Sequence, residues 1–166
     1  MMQRKICIVG AFAVGKTSLV SRFVEHRFSK QYQTTVGVKI SKKSLQFDAQ
    51  AYQCVLWDLA GEDEFLQVQP SYLRGAAGYI LVVDGTRQAT LETALSIRQR
   101  VIEVVGDLPF VVLVNKSDLE NAWDLQQGAL TALTQEGWVW VKASAKTGSG
   151  VDEAFESLLA QIQGAK

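Results

Sequence analysis

The apolar run Ile6-Cys7-Ile8-Val9 passes without a spacer into Gly10-Ala11-Phe12-Ala13-Val14-Gly15-Lys16-Thr17. A short apolar run ending at glycine reads as a buried strand. The G-x-x-x-x-G-K-[ST] pattern behind it reads as the loop that carries such a strand into a helix. The glycines let the backbone bend inward, so successive N–H groups face one anion and the following helix turns its positive dipole end to the same point. Lys16 then supplies a charge that reaches the outer phosphates, and the Thr17 hydroxyl stands where it can ligate Mg2+. Gly10, Ala13, Val14, Gly15 and Ser18 complete the expected phosphate-binding set. A plain strand-to-helix turn with an exposed lysine is the alternative. It requires none of the four fixed positions, and all four are present.

Such a loop works on the rim of a sheet, and the chain is long enough to build one. Its 166 residues are read as a single domain, 1–166, burying about two-thirds of the unfolded surface. Seventeen basic residues balance seventeen acidic ones, so net charge points neither to nucleic acid nor to an anionic membrane. Cys7 and Cys54 lie in apolar strand-like runs and are expected as reduced core residues of a cytoplasmic protein. The apolar stretch after Met1-Met2-Gln3-Arg4-Lys5 is too short for a secretory signal, and no run approaches a membrane span. Gln163-Gly164-Ala165-Lys166 holds no cysteine for prenylation, so no anchor is expected within these residues, and a longer tail beyond them stays open. A monomer is expected.

Strand-like and helical patterns alternate along the chain, which indicates an α/β fold with a mostly parallel sheet covered on both faces. The first strand is expected over about 4–9, and a helix over about 16–26 buries Leu19, Val20, Phe23 and Val24. After a polar stretch from 27 to 37, strands follow at about 38–47 and 52–58 around Asp48-Ala49-Gln50. Three residues cannot hold a crossover helix, so this pair is an antiparallel hairpin. Later strands are Gly78–Asp84, Phe110–Asn115 and Trp138–Lys142. A helix over 88–105 carries Leu91, Leu95, Val101, Ile102 and Val105, and a last one over 150–163 carries Val151, Phe155, Leu158, Leu159 and Ile162. The expectation is six strands, one of them antiparallel, with about five helices.

Three further motifs fall at strand ends, the rim where open α/β sheets bind ligands. Trp57-Asp58-Leu59-Ala60-Gly61 closes the third strand as D-x-x-G; its carboxylate can hold Mg2+ and its glycine N–H can sense a terminal phosphate. Asn115-Lys116-Ser117-Asp118 closes the fifth as N-K-x-D. A carboxylate accepting two parallel hydrogen bonds matches the adjacent N1–H and N2–H donors of guanine, and adenine presents no such pair. Asp118 is therefore the expected base selector. Ser144-Ala145-Lys146 closes the sixth, where the Ala145 N–H can donate to guanine O6.

These elements, in this order across essentially the whole chain, resemble the Ras superfamily of small GTPases, and the Rab branch most. Thr34-Thr35-Val36-Gly37-Val38 is similar to the Rab stretch S-T-I-G-V, and Ser71-Tyr72-Leu73-Arg74-Gly75-Ala76 to S-Y-Y-R-G-A. The resemblance implies a switch that binds GTP or GDP with Mg2+ and hydrolyses GTP, slowly without a partner. It implies that Thr35 joins Thr17 and Asp58 on the metal, that Gly61 senses the γ-phosphate, and that Lys116 lies over base and ribose. Phe28 would pack against the guanine, or serve as an ordinary core phenylalanine. Residues 27–39 and 59–75 would be the segments that order with the γ-phosphate and meet effectors and exchange or activating factors.

Two residues depart from the family pattern. After D-x-x-G the family carries glutamine, which orients the attacking water; this chain has Glu62. Three readings stay open: a slow enzyme dependent on a partner, Glu62 as a water-orienting base, or a solvated Glu62 with the water positioned otherwise. Phe12 stands where the family keeps a small residue, so it either obstructs an arginine finger supplied in trans or is an exposed side chain covering the second switch. If Glu62 and Phe12 disable hydrolysis, the chain is a GTP-binding interaction module; a phosphate-loop ATPase or kinase is disfavoured by N-K-x-D. Ile40, Trp57 and Tyr72 match an exposed apolar effector patch of Rabs, with core burial open for Trp57. Trp140 is expected in the core, His26 solvated, and Lys39, Lys42 and Lys43 along a solvated edge.

Overall fold

In the computed structural model, residues 1–26, 37–61 and 68–165 are described below. Strand β1 (Met2–Gly10) leads through the glycine loop into α1 (Lys16–Glu25). The hairpin β2 (Val38–Phe47) and β3 (Gln50–Leu59) follows, then α2 (Pro70–Leu73), β4 (Gly78–Asp84) and α3 (Ala89–Val105). The remaining elements are β5 (Phe110–Asn115), a 3-10 turn over Glu120–Ala122, α4 (Gln127–Gln135), β6 (Trp140–Lys142) and α5 (Val151–Gly164). The fold class is the expected one: a six-stranded sheet in the order β2-β3-β1-β4-β5-β6, with only β2 running antiparallel to its neighbour.

The register explains the shape of the hairpin. Phe47 pairs with Gln50 and Val38 with Leu59, so Asp48 and Ala49 alone make the turn. Both have positive φ, 50° and 63°, which is the backbone a tight hairpin demands and which the alanine side chain disfavours. Strand β3 therefore begins two residues earlier than the turn composition suggests.

Side chains from the two faces of the sheet form two apolar layers. On one face α1 and α5 pack Leu19, Phe23, Phe155 and Leu158 over Ile6, Ile8 and Leu113; the Phe23 and Phe155 rings stack with centroids 3.8 Å apart. On the other face α3 packs Leu91, Ala94, Ile97 and Val101 over Val9, Leu81 and Val83. Cys7 and Cys54 are buried free thiols, each pushed up to about 11 by burial, with Lys5 and Lys43 respectively pulling the other way.

Three expectations need correction. Leu95 is 37% exposed, because the buried arc of α3 is centred on Ala94 and Val101 and Leu95 stands roughly 100° round the helix from that centre. Trp140 is half-buried at the sheet margin, where its indole N–H donates to Thr134 Oγ1 at 2.8 Å. Lys43 is not a solvated edge residue: its ammonium donates to the Phe23 carbonyl and lies 4.2 Å from the Phe23 ring centroid. Trp57, for which surface patch and core were both open, is half-buried, with the Lys5 ammonium 3.7 Å above its ring and Tyr72 tilted beside it. Its cross-strand partner Ile40 is 49% exposed, so the expected patch is on the surface. His26 is exposed at the end of α1, as expected. Among the described residues no helix is long and apolar enough to cross a membrane.

Candidate functional site

All four motif segments meet at the carboxyl ends of β1, β3, β5 and β6, beside the end of β4. The sheet order makes this a switch point, because the chain leaves β1 with neighbours β3 on one side and β4 on the other. The loop after Gly10 is held tightly. A Cβ on Gly10 would lie 2.5 Å from the Val82 carbonyl oxygen, and one on Gly15, at φ 100°, would collide with the Asn115 amide. Ala13 also has positive φ, 63°. Such alternation of backbone conformations turns consecutive N–H groups into one concavity, the geometry of an anion nest.

Three successive carbonyls of this loop are tied from outside it. Arg87 Nη2 donates to Phe12 O at 2.9 Å, Lys116 Nζ to Ala13 O at 3.3 Å, and Asn115 Nδ2 to Val14 O at 2.9 Å. Every peptide bond in the described chain is trans, so each tied carbonyl directs the N–H of the same peptide unit, at Ala13, Val14 and Gly15, the opposite way. These ties hold the three donors toward the concavity.

Lys16, the first residue of α1, is 6% exposed and donates to Ala11 O at 3.1 Å. Burial pushes its ammonium down to about 8; Asp58 opposes the shift and Arg87 adds to it. Next to it, the Thr17 hydroxyl donates to Asp58 Oδ2 at 2.6 Å. A hydroxyl and a fully buried carboxylate are hard oxygen donors, and two protein oxygens are what a Mg2+ ion that keeps its waters asks for. The residues present fit the ion.

The base-recognition end is organised as tightly. Asp118 Oδ1 accepts from Ser144 Oγ at 2.7 Å, which orients the carboxylate and leaves it acceptor capacity. Ser144 Oγ in turn accepts from the Thr147 N–H at 3.1 Å. The Ala145 N–H, expected to meet guanine O6, here donates to Asn115 Oδ1 at 3.1 Å. Arg22 of α1 holds the next two carbonyls, those of Ala145, at 2.8 Å, and of Lys146. Lys116 has φ 69°, and its ammonium sits 2.8 Å from Asp84 Oδ2.

Asp84, at the end of β4, is the residue that motif reading missed. It is fully buried and accepts from the Thr86 N–H (2.8 Å), Thr86 Oγ1 (2.6 Å), Arg87 Nε (3.0 Å) and Lys116. Burial works to raise its carboxyl, but the hydrogen bonds from Lys116, Thr86 and Arg87 outweigh it and hold the group below its ordinary range. Its position at the end of a parallel strand was the available signal.

Gly61 packs against the loop: a Cβ there would fall 2.6 Å from Phe12 Cα, which is why the position tolerates no side chain. The Ala60 N–H donates to Gly37 O at 2.9 Å, so Gly37, just before β2, borders the end of β3 at the site. Phe12 is 41% exposed. Phe28, Thr35 and Glu62 lie outside the described residues.

The sequence model of the Ras family matches residues 5–164. Ras-related protein Rab-18-B of Danio rerio is 35% identical over 161 residues, spanning 95% of this chain and 78% of that protein. Ras-related protein YPTC6 of Chlamydomonas reinhardtii is 32% identical over 160 residues (95% and 74%), and Ras-related protein Rab11D of Lotus japonicus 34% over 161 (95% and 73%).

Proposed function

The chain belongs to the Ras family of small GTPases, on its Rab-like side, and we propose that it is a Mg2+-dependent switch that binds GTP and GDP and hydrolyses GTP. The observation that carries this reading is the convergence of the tied loop, buried Lys16 and the Thr17–Asp58 pair with the Ser144-oriented Asp118 on one rim. Asp118 accepts from the guanine N1–H and 2-amino groups. Lys116 lays its stem along the base while its ammonium stays on Asp84 and Ala13 O. Ala145 shares or exchanges its N–H between Asn115 and guanine O6. The N–H groups of residues 13–18 and the Lys16 ammonium hold the phosphates and offset the charge that develops on them.

Thr17 and Asp58 would hold Mg2+, joined by Thr35; the ion supplies charge neutralisation at the phosphates. Gly61 and the segments at 27–39 and 59–75 respond to the terminal phosphate and present the surface that effectors and exchange or activating factors recognise. Water is the nucleophile, and Glu62 stands in sequence where its orienting group is expected.

Mixing purified protein with GTP or ATP and Mg2+ tests the reading. Stoichiometric GTP binding with catalytic release of GDP and phosphate is expected, and no competition by ATP. Binding of GTP without turnover would leave an interaction module, and equal competition by ATP would sink the guanine reading. Glu62→Ala and Glu62→Gln in single turnover then decide the role of Glu62: an alanine variant as fast as wild type removes it from catalysis.

A further inference from the structure

Two of the three side chains that tie the phosphate loop, Asn115 and Lys116, belong to a recognised motif. The third does not. Arg87 lies in the turn between β4 and α3, 75 residues from Phe12, and its guanidinium makes two contacts at once: Nε to Asp84 Oδ2 at 3.0 Å and Nη2 to Phe12 O at 2.9 Å. Asp84 Oδ2 also carries the Lys116 ammonium at 2.8 Å, and Lys116 reaches Ala13 O. One buried carboxylate thus anchors two cations that grip adjacent carbonyls of the loop.

We infer that Arg87 is a positioning residue for phosphate binding: by holding the Phe12 carbonyl it fixes the Phe12–Ala13 peptide plane and turns the Ala13 N–H toward the phosphates. The inference rests on the guanine-nucleotide reading above and adds to it a residue outside its motifs. Phe12 gives the arrangement its purpose. Its side chain is 41% exposed, and Ala13 at φ 63° lacks the glycine that such a turn favours. A clamp from outside the loop restrains the peptide plane at this turn. The fork of the guanidinium suits the task, since one planar group can bond an acceptor on each side.

Release of a fluorescent GDP analogue tests this. Loss of one charge-assisted hydrogen bond at a partly exposed site predicts release about tenfold faster from Arg87→Gln. GTP affinity falls by the same factor, while preference for GDP over inosine diphosphate, which reports the base pocket, is unchanged. Arg87→Lys, whose single ammonium cannot span both acceptors, is expected at about threefold faster release; it carries the test if the glutamine variant does not fold. Release within twofold of wild type, with or without a lower melting temperature of the nucleotide-free protein, overturns the inference and leaves Arg87 a structural residue. A wild type that retains no GDP removes the underlying nucleotide reading instead.

Discussion

Asp84 shows how a single carboxylate acquires a role through its surroundings. Its folded pKa lies below the ordinary value, which is about 4. As acid is added, the unfolded chain therefore takes up the proton first. The stability due to Asp84 is fully present above about pH 5 and is lost as the pH falls through the folded value. Asp84→Asn keeps the volume but removes the charge that Lys116 and Arg87 face, and is expected to cost roughly 2–3 kcal/mol at pH 7. Its urea midpoint should then vary less than that of wild type between pH 5 and 3. A variant with the full wild-type acid sensitivity would place the acid-labile group elsewhere. Asp118 is the opposite case: its proposed role comes from its motif, and Ser144 orients the carboxylate. Asp118→Ala is expected to lower GDP affinity about 10–100-fold and to narrow the preference for GDP over inosine diphosphate, as competition binding would measure.

Among the elements, the β2–β3 hairpin carries the clearest local conflict between residue type and backbone. Asp48 and Ala49 both occupy left-handed conformations, at φ 50° and 63°. Aspartate tolerates that region through its short polar side chain, and alanine does not. Ala49→Gly is expected to raise unfolding free energy by about 0.5–1 kcal/mol, the relief of αL strain less the entropy of glycine in the unfolded chain. A lower urea midpoint would mean the strain is absent. The helices teach a different lesson. The apolar stripe of α5 was legible in full, because Val151, Phe155, Leu158, Leu159 and Ile162 all turn to one buried layer. In α3 the stripe misled at Leu95, since the small Ala94 sits at the centre of the interface and hydrophobicity alone favours the larger residue. In α4 only Leu130 and Leu133 are buried, too few for a periodic signal.

At the scale of the molecule, the proposed binding rim gathers residues from β1, α1, β3, β4, β5 and β6, so a nucleotide held there would bridge otherwise separate loops. Binding to the folded state alone adds about 2.7 kcal/mol of stability when the ligand stands at a hundred times its dissociation constant. Thermal unfolding should therefore shift upward with GDP or GTP and not with ATP at the same concentration. A shift with ATP equal to that with GTP would contradict the role of Asp118. The clamps on Phe12, Ala13 and Val14 also predict that the loop is already ordered before the nucleotide enters.

The sequence by itself determined the six strands and the helices α1, α3 and α5, the hairpin forced by a short gap, and the motifs behind the strands that hold Lys16, Thr17, Asp58, Asn115 and Asp118. These are encoded in neighbours a few positions apart, where periodicity and spacing have physical meaning. Only the tertiary structure decided which side chains tie the loop and which aromatic residues stay at the surface. Arg87 reaches Phe12 because β1 lies beside β4, with Gly10 opposite Val82. Lys43 folds onto Phe23, and Trp57 meets Tyr72, likewise through contacts between different elements. Such pairings depend on the order in which strands assemble into a sheet, and no local pattern carries that information.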